Sequence, residues 1–171
     1  MDNLQLSQSG SFALNSGALA LSTNNLTAKT TAAINYTVDG QFFSYPATDN
    51  IPFATQYAAQ TFNPVPGPHN NNFTALYGIF LDSSGVVTFV QGKPVNSADL
   101  ANAAAPLMFP TNTDAGTPAA GKPRGRCCIG FVRVANATGA PFVFGTTPLN
   151  TAGLSVSYIN TLAVPGEPLR S

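Results

Sequence analysis

The sequence predicts an all-β protein: an antiparallel sandwich, a jelly-roll-like fold or a small barrel, with one short helix and an extended N-terminal arm. The first observation is composition. Only 8% of the 171 residues are charged, against roughly 25% in an ordinary soluble domain, and Thr, Asn, Ser, 15 Gly and 14 Pro dominate instead. The second is short alternating apolar runs separated by turn residues. Both features exclude coiled coils and helical bundles, which are rich in Glu, Lys and Leu.

The N-terminal arm is residues 1–30, and the β-rich body is residues 31–171. The arm is polar and small, and its apolar residues come in pairs spaced by two, which is the period of a strand. We expect one or two short strands there, lying either on the body or on a neighbouring subunit. The pairs are Leu4 and Leu6, Phe12 and Leu14, and Leu19 and Leu21.

The body opens with two predicted hairpins. The Asp39-Gly40 pair is the strongest short-range hairpin signal, because a type I′ turn needs positive φ at both central residues. The second turn is Asp82-Ser83-Ser84-Gly85. The flanking runs are residues 33–38 and 41–45, then 73–81 and 86–91.

Three aromatic residues crowd the second predicted strand. Phe42, Phe43 and Tyr45 cannot all face one side of a strand, because successive side chains alternate. Either the strand is buried on both faces or one aromatic contacts a partner. We expect burial in the core.

One helix is predicted over residues 98–105, with Ser97 as its N-cap and Pro106 as its stop. A long loop of Gly, Pro and small residues, 110–126, follows. Three further strands complete the body, at residues 127–134, 141–144 and 154–164.

Catalytic residue types are scarce. The single His, His69, lies in a Pro-rich loop, so a Ser-His-Asp triad has no well-placed base. The acids are mostly Asp in turns, where the side chain serves the local backbone. Cys127 and Cys128 are adjacent and read as small apolar strand residues from a reducing compartment; a redox or metal role is the other interpretation. The sequence therefore predicts no enzyme, no metal site and no cofactor.

The chain carries no signal-peptide pattern and no apolar stretch of membrane-spanning length, so we expect no membrane partner. Its formal net charge is zero, which argues against charge-driven nucleic-acid binding. One basic cluster, Lys122, Arg124 and Arg126, favours docking on an acidic protein surface; a solvated loop is the alternative. The predicted protein-docking residues are this cluster together with Leu4, Leu6, Phe12 and Leu14 of the arm.

The style of three segments resembles small virion proteins of tailed bacteriophages, and head decoration (cement) proteins above all. These segments are 33–43 (AINYTVDGQFF), 78–87 (GIFLDSSGVV) and 131–168. The resemblance implies a β-sandwich, jelly-roll or tulip-like module that is made in the host cytoplasm and located on the capsid surface of the virion. It also implies a homodimer or homotrimer that bridges neighbouring major capsid subunits, without active-site residues.

A receptor-binding or carbohydrate-binding module, as in a tail fibre or adhesin, is the competing interpretation. It would also be β-rich, neutral and heavy in Asn, Thr and Gly. Exposed aromatic platforms would favour the carbohydrate-binding module, whereas aromatics buried in core and interface would favour the decoration protein.

Overall fold

A computed structural model describes residues 10–52, 72–101 and 126–161. This part of the chain is antiparallel β structure with one short helix, which confirms the predicted fold class; the finer choice of sandwich, jelly roll or barrel stays a prediction. The elements are β1 (Phe12–Ala13), β2 (Leu19–Leu21), β3 (Ala28–Thr30), β4 (Ile34–Val38), β5 (Gln41–Tyr45), β6 (Phe73–Asp82), β7 (Val87–Gln91), β8 (Val95–Asn96), α1 (Ser97–Ala101), β9 (Arg126–Asn136) and β10 (Leu154–Asn160).

The strands form three antiparallel groups. The small sheet has the order β1-β4-β5, and the large sheet has the order β10-β9-β6-β7 with β8 paired to β6. The β2–β3 ribbon stands apart from both ladders. Neighbours in sequence are mostly neighbours in space, as expected when short turns connect antiparallel strands.

Both predicted hairpins are confirmed. β4 and β5 close with Val38 opposite Gln41, and the turn residues Asp39 and Gly40 have φ of 50° and 78°, the positive values of a type I′ turn. In the second turn the Asp82 carboxylate accepts hydrogen bonds from the backbone N–H groups of Ser84 and Val86 at 2.8 and 2.9 Å. The short polar side chain thus fixes the turn locally.

A β-bulge divides β9 where it pairs with β6. Ile79 lies opposite Gly130 and Phe80 lies opposite Cys128, so Ile129 is the extra residue. The bulge changes which face each later residue of β9 occupies. As a result Ile129 and Val132 both reach the main core, whereas Phe131 joins a smaller apolar cluster on the opposite face of the large sheet.

One main core contains buried residues of both sheets. Buried residues of the small sheet, such as Ile34 and Tyr36, share one cluster with Ile79 of the large sheet. The Tyr36 hydroxyl also donates a 2.8 Å hydrogen bond to the Asp82 carbonyl. Apolar packing and this bond together hold the small sheet against the second hairpin.

A cluster of aromatic side chains packs in the core beside β6. The Tyr77 ring stacks on Phe144 at 4.6 Å and meets Phe142 edge-on at 6.1 Å, both favourable ring geometries. The strand predicted at 141–144 is wrong, because the Val143 carbonyl accepts hydrogen bonds from Thr146 and Thr147 and closes a turn. The Phe pair spaced by two imitates a strand, although both rings are buried from a loop.

The described part of the arm, residues 10–30, packs on the chain's own body. β1 pairs with β4, and Ala13, Leu19 and Ala28 belong to the main core, each at most 6% exposed. The Leu19 N–H also donates to the Asn160 side chain at 2.8 Å. Residues 10–30 therefore share the core of the body. Leu4 and Leu6 lie outside the described residues.

The helix begins at Ser97, one residue before the predicted start at 98, because Ser97 is its first residue and not its cap. The Asn96 side chain accepts a 2.9 Å hydrogen bond from the Ala98 N–H, whereas the Ser97 hydroxyl bonds the Thr74 hydroxyl at 3.0 Å. Asn96 is the N-cap because it is the last residue of β8 and so has the extended backbone that an N-cap needs. The rest of the predicted helix, residues 102–105, lies outside the described residues.

Candidate docking surface

The predicted docking residues fall in three places. Lys122 and Arg124 lie outside the described residues, like Leu4 and Leu6 of the arm. Arg126 is half-buried as the first residue of β9, opposite Asp82 in the ladder. The prediction that Arg126 belongs to a loop is therefore wrong, because its pairing with β6 extends the strand to it. Phe12 lies in β1, and Leu14 directly follows it.

The register of the small sheet brings two phenylalanines onto one face. Phe12 lies opposite Thr37, and Thr37 lies opposite Phe42. Residues opposite each other in antiparallel strands share a face, so the three side chains form a row. With strands about 4.8 Å apart, Phe12 and Phe42 are roughly 10 Å from each other across Thr37.

This row faces away from the core. Phe42 is 70% exposed and Leu14 is 41% exposed, whereas Ala13 between Phe12 and Leu14 is only 2% exposed. The alternation of β1 and β5 explains the difference, because each inward residue places its neighbour outward. We call Phe12, Leu14 and Phe42 the outer apolar face; Thr37, between the two phenylalanines, is buried at 5% exposure.

The expectation of core burial thus fails for Phe42. Tyr45 is buried, and Phe43 is half-buried, with its ring 5.7 Å from that of Tyr36. The parity of the strand separates Phe42 from these two, since 43 and 45 share a face and 42 does not. The sequence contains this signal, but which face meets the core depends on tertiary packing.

Hydrogen bonds between side chains and the backbone hold the outer apolar face in place. The Thr37 hydroxyl donates to the Gly10 carbonyl at 2.9 Å and accepts the Phe12 N–H at 3.2 Å. Beside Leu14, the Asn15 side chain accepts the Asn35 N–H at 2.6 Å. These bonds lock β1 to β4, so the apolar side chains sit on a rigid platform, which lowers the entropy cost of binding.

The surroundings of the outer apolar face are polar and mostly uncharged. Asn35 and Ser44 are exposed on the same face, and the nearest acid along the chain, Asp39, lies in the hairpin turn. An apolar centre with a polar rim is the usual anatomy of a protein interface. A projecting aromatic at such a centre is the residue type that carries binding energy.

The two cysteines are free and buried on opposite faces of β9, which confirms their interpretation as small apolar strand residues. Burial raises the pKa of the Cys127 thiol, helped by Cys128, and burial raises the pKa of Cys128 to about 11. Both therefore stay protonated at neutral pH. Protonated, buried thiols are poor nucleophiles and poor metal ligands.

Within the described ranges, no three His, Cys, Asp or Glu side chains are grouped so as to hold a metal ion. Within the part of the chain that the structure describes, no helix is long and apolar enough to cross a membrane. Comparison with known proteins found no matching family model, no matching curated protein and no matching solved structure.

Proposed function

We propose that this chain is a structural virion protein that binds the outside of a phage capsid, where it bridges and stabilises major capsid subunits. The observation that carries the proposal is the outer apolar face. Phe42 projects at 70% exposure, with Leu14 on the same face at 41%, from a sheet whose inner residues Ile34, Tyr36 and Tyr45 belong to the main core. A large exposed aromatic on a rigid neutral platform is typical of a protein-binding anchor.

The partner chemistry follows from the lack of charge around the anchor. A neutral apolar face binds best to a neutral surface with an apolar pocket, because neither side then loses the hydration of an ion. A capsid offers such a surface in many copies, and bridging two subunits multiplies a modest interface. The major capsid protein is therefore the partner that we propose, with the aromatic ring inserted between subunits.

Phe42→Ser tests the proposal. A Phe side chain of about 200 Å² that is 70% exposed leaves roughly 140 Å² to bury in an interface. At about 25 cal/mol per Å², this area is worth about 3.5 kcal/mol, or about 300-fold in Kd. Purified protein is mixed with undecorated capsids, and bound protein is counted after sedimentation.

The matched control is Val86→Ser, which removes an exposed apolar side chain, 41% exposed, beside the turn of the other hairpin. We expect wild type and Val86→Ser to bind at capsid stoichiometry and Phe42→Ser to dissociate. Equal binding by Phe42→Ser would refute the role of this face. Failure of the wild-type chain to bind any capsid would refute the proposed function itself.

A carbohydrate-binding module is the second candidate, and the same residue favours it. Phe42 is an exposed aromatic that could stack on a sugar ring. In that case the wild-type protein would give a glycan-array signal that Phe42→Ser abolishes. Neither the wild-type protein nor Phe42→Ser would then bind capsids. We favour the capsid because the other large aromatic side chains of the described residues are at least partly buried, whereas a glycan site usually presents several convergent polar and aromatic groups.

A further inference from the structure

We infer that β10 is a strand-addition edge, at which a second copy of this chain pairs antiparallel about a two-fold axis through Ser157. The observation is a strand of seven residues, Leu154–Asn160, which among the described residues is paired on one side only, to β9. The pairing would join two large sheets into one continuous sheet. The inference deepens the proposed function by naming the surface through which copies contact each other.

The ladder shows which backbone groups of β10 face outward. The Ala137 N–H donates to the Gly153 carbonyl at 2.9 Å, and Ser155 lies opposite Ala135 in the same register. Because antiparallel residues alternate between facing toward and away from the partner strand, residues 155, 157 and 159 direct their backbone groups to β9. Val156 and Tyr158 therefore direct their N–H and C=O groups to the open edge.

The open edge lacks the usual protection. Natural edge strands carry Lys, Pro, bulges or short lengths that prevent pairing with other chains. β10 has none of these: it reads Leu-Ser-Val-Ser-Tyr-Ile-Asn, and its register with β9 is regular throughout. Ser155 and Ser157 are exposed. A neutral strand of this length with high β-propensity is primed for pairing.

The centre of the strand, Val156–Tyr158, is complementary to itself. With Ser157 on the two-fold axis, Val156 of each copy lies opposite Tyr158 of the other, and the outward N–H and C=O groups of these residues are placed to exchange hydrogen bonds. Val156 and Tyr158 both pack against the main core. Their pairing would therefore carry the apolar layer of one copy directly into that of the other.

Electrostatics permits this arrangement. The nearest charged side chain in the ladder is Arg133, which lies opposite Ser157 on β9. In the joined sheet the two Arg133 residues would be three strand spacings apart, about 14 Å. That distance exceeds the Debye length of about 8 Å at physiological salt, so their repulsion is screened.

Two variants test the edge, and analytical ultracentrifugation across a concentration series measures the dimer Kd. Val156→Pro removes an N–H that faces the open edge and leaves the ladder to β9 intact. We expect the loss of one hydrogen bond from each copy to raise Kd by about 30-fold. Ser157→Lys puts like charges opposite each other at the axis, and we expect it to raise Kd by about tenfold.

The matched control is Ser44→Lys, which makes the same change at an exposed serine of β5, an edge strand of the small sheet. We expect it to leave the dimer Kd unchanged. Mixing Ser157→Lys with Ser157→Glu in equal amounts should restore association, because opposite charges then meet at the axis. This rescue separates loss of pairing from loss of folding.

Hydrogen exchange supplies a second measurement. The amides of Val156 and Tyr158 should exchange more slowly as protein concentration rises, whereas those of Ser155 and Ser157 should not change. A wild-type chain that stays monomeric at hundreds of micromolar would overturn the inference. So would a dimer whose Kd neither Val156→Pro nor Ser157→Lys changes. These assays contain no capsid, so their failure is distinguishable from failure of the proposed function.

Discussion

Gly130→Ala is expected to destabilise the fold by about 3 kcal/mol. Gly130 sits at the bulge of β9 with φ of 156°, and a Cβ there would meet the Leu19 Cδ1 atom and come within 2.5 Å of the Ile159 carbonyl oxygen. The leucine methyl can rotate away, but the carbonyl belongs to β10 and moves only with that strand. Overpacking costs about 1–3 kcal/mol, and backbone strain adds about 1 kcal/mol.

Thermal unfolding followed by circular dichroism measures the effect. A loss of 3 kcal/mol in a chain of this length lowers Tm by about 9 °C, at roughly 3 °C per kcal/mol. The control is Gly139→Ala, where φ is 82° but nothing lies within 4 Å of the added Cβ. Only conformational strain of about 1 kcal/mol then applies, so Tm should fall by about 3 °C. Equal Tm losses in the two variants would refute the steric reasoning.

Two further predictions concern buried polar atoms. Tyr158→Phe should leave the free energy of unfolding in urea unchanged or raise it by about 1 kcal/mol. The reason is that the Tyr158 hydroxyl is buried without a hydrogen-bond partner, so deleting it removes a desolvation cost. A loss above 1 kcal/mol would contradict this. Burial raises the pKa of Cys128 from 9.0 to about 11. Between these two values the unfolded chain loses the thiol proton while the folded chain keeps it, which favours unfolding. The contribution of Cys128 to stability should therefore be complete below pH 9 and be lost as the pH rises toward 11. Comparison of urea midpoints at pH 8 and pH 10 for wild type and Cys128→Ala checks this, and an identical pH dependence in the two proteins would contradict it.

The elements that the sequence predicts correctly are those with a local cause. Asp39-Gly40 requires positive φ and forms its hairpin wherever the hairpin packs. The Asp82 turn is likewise closed by its own side chain. Apolar runs bounded by turn residues also identify β9 and β10, although pairing extends β9 to Arg126 and Asn136 and β10 ends at Asn160.

The features that the sequence misses depend on tertiary contacts. Phe142 and Phe144 show strand spacing, yet both rings reach the core from a loop because Tyr77 and its neighbours form a pocket around them. The arm looks too polar for a core, but Ala13 and Ala28 are small enough to pack closely where larger residues would not fit. Phe42 is exposed because the inner face of β5 already holds Phe43 and Tyr45.

Scarcity of charge links the two surfaces proposed here. A protein with ordinary charge content protects its sheet edges with lysine, but neither β5 nor β10 contains a charged residue. The two edge strands favour different kinds of binding partner. β5 ends at Tyr45, before Pro46, and turns Phe42 outward, which favours a dissimilar partner with a pocket. In β10, by contrast, Val156 and Tyr158 would lie opposite each other in a two-fold pair of strands. A dimer joined at β10 would present two outer apolar faces, and two linked faces bind a repeating surface far more tightly than one, because the second contact forms at high effective concentration.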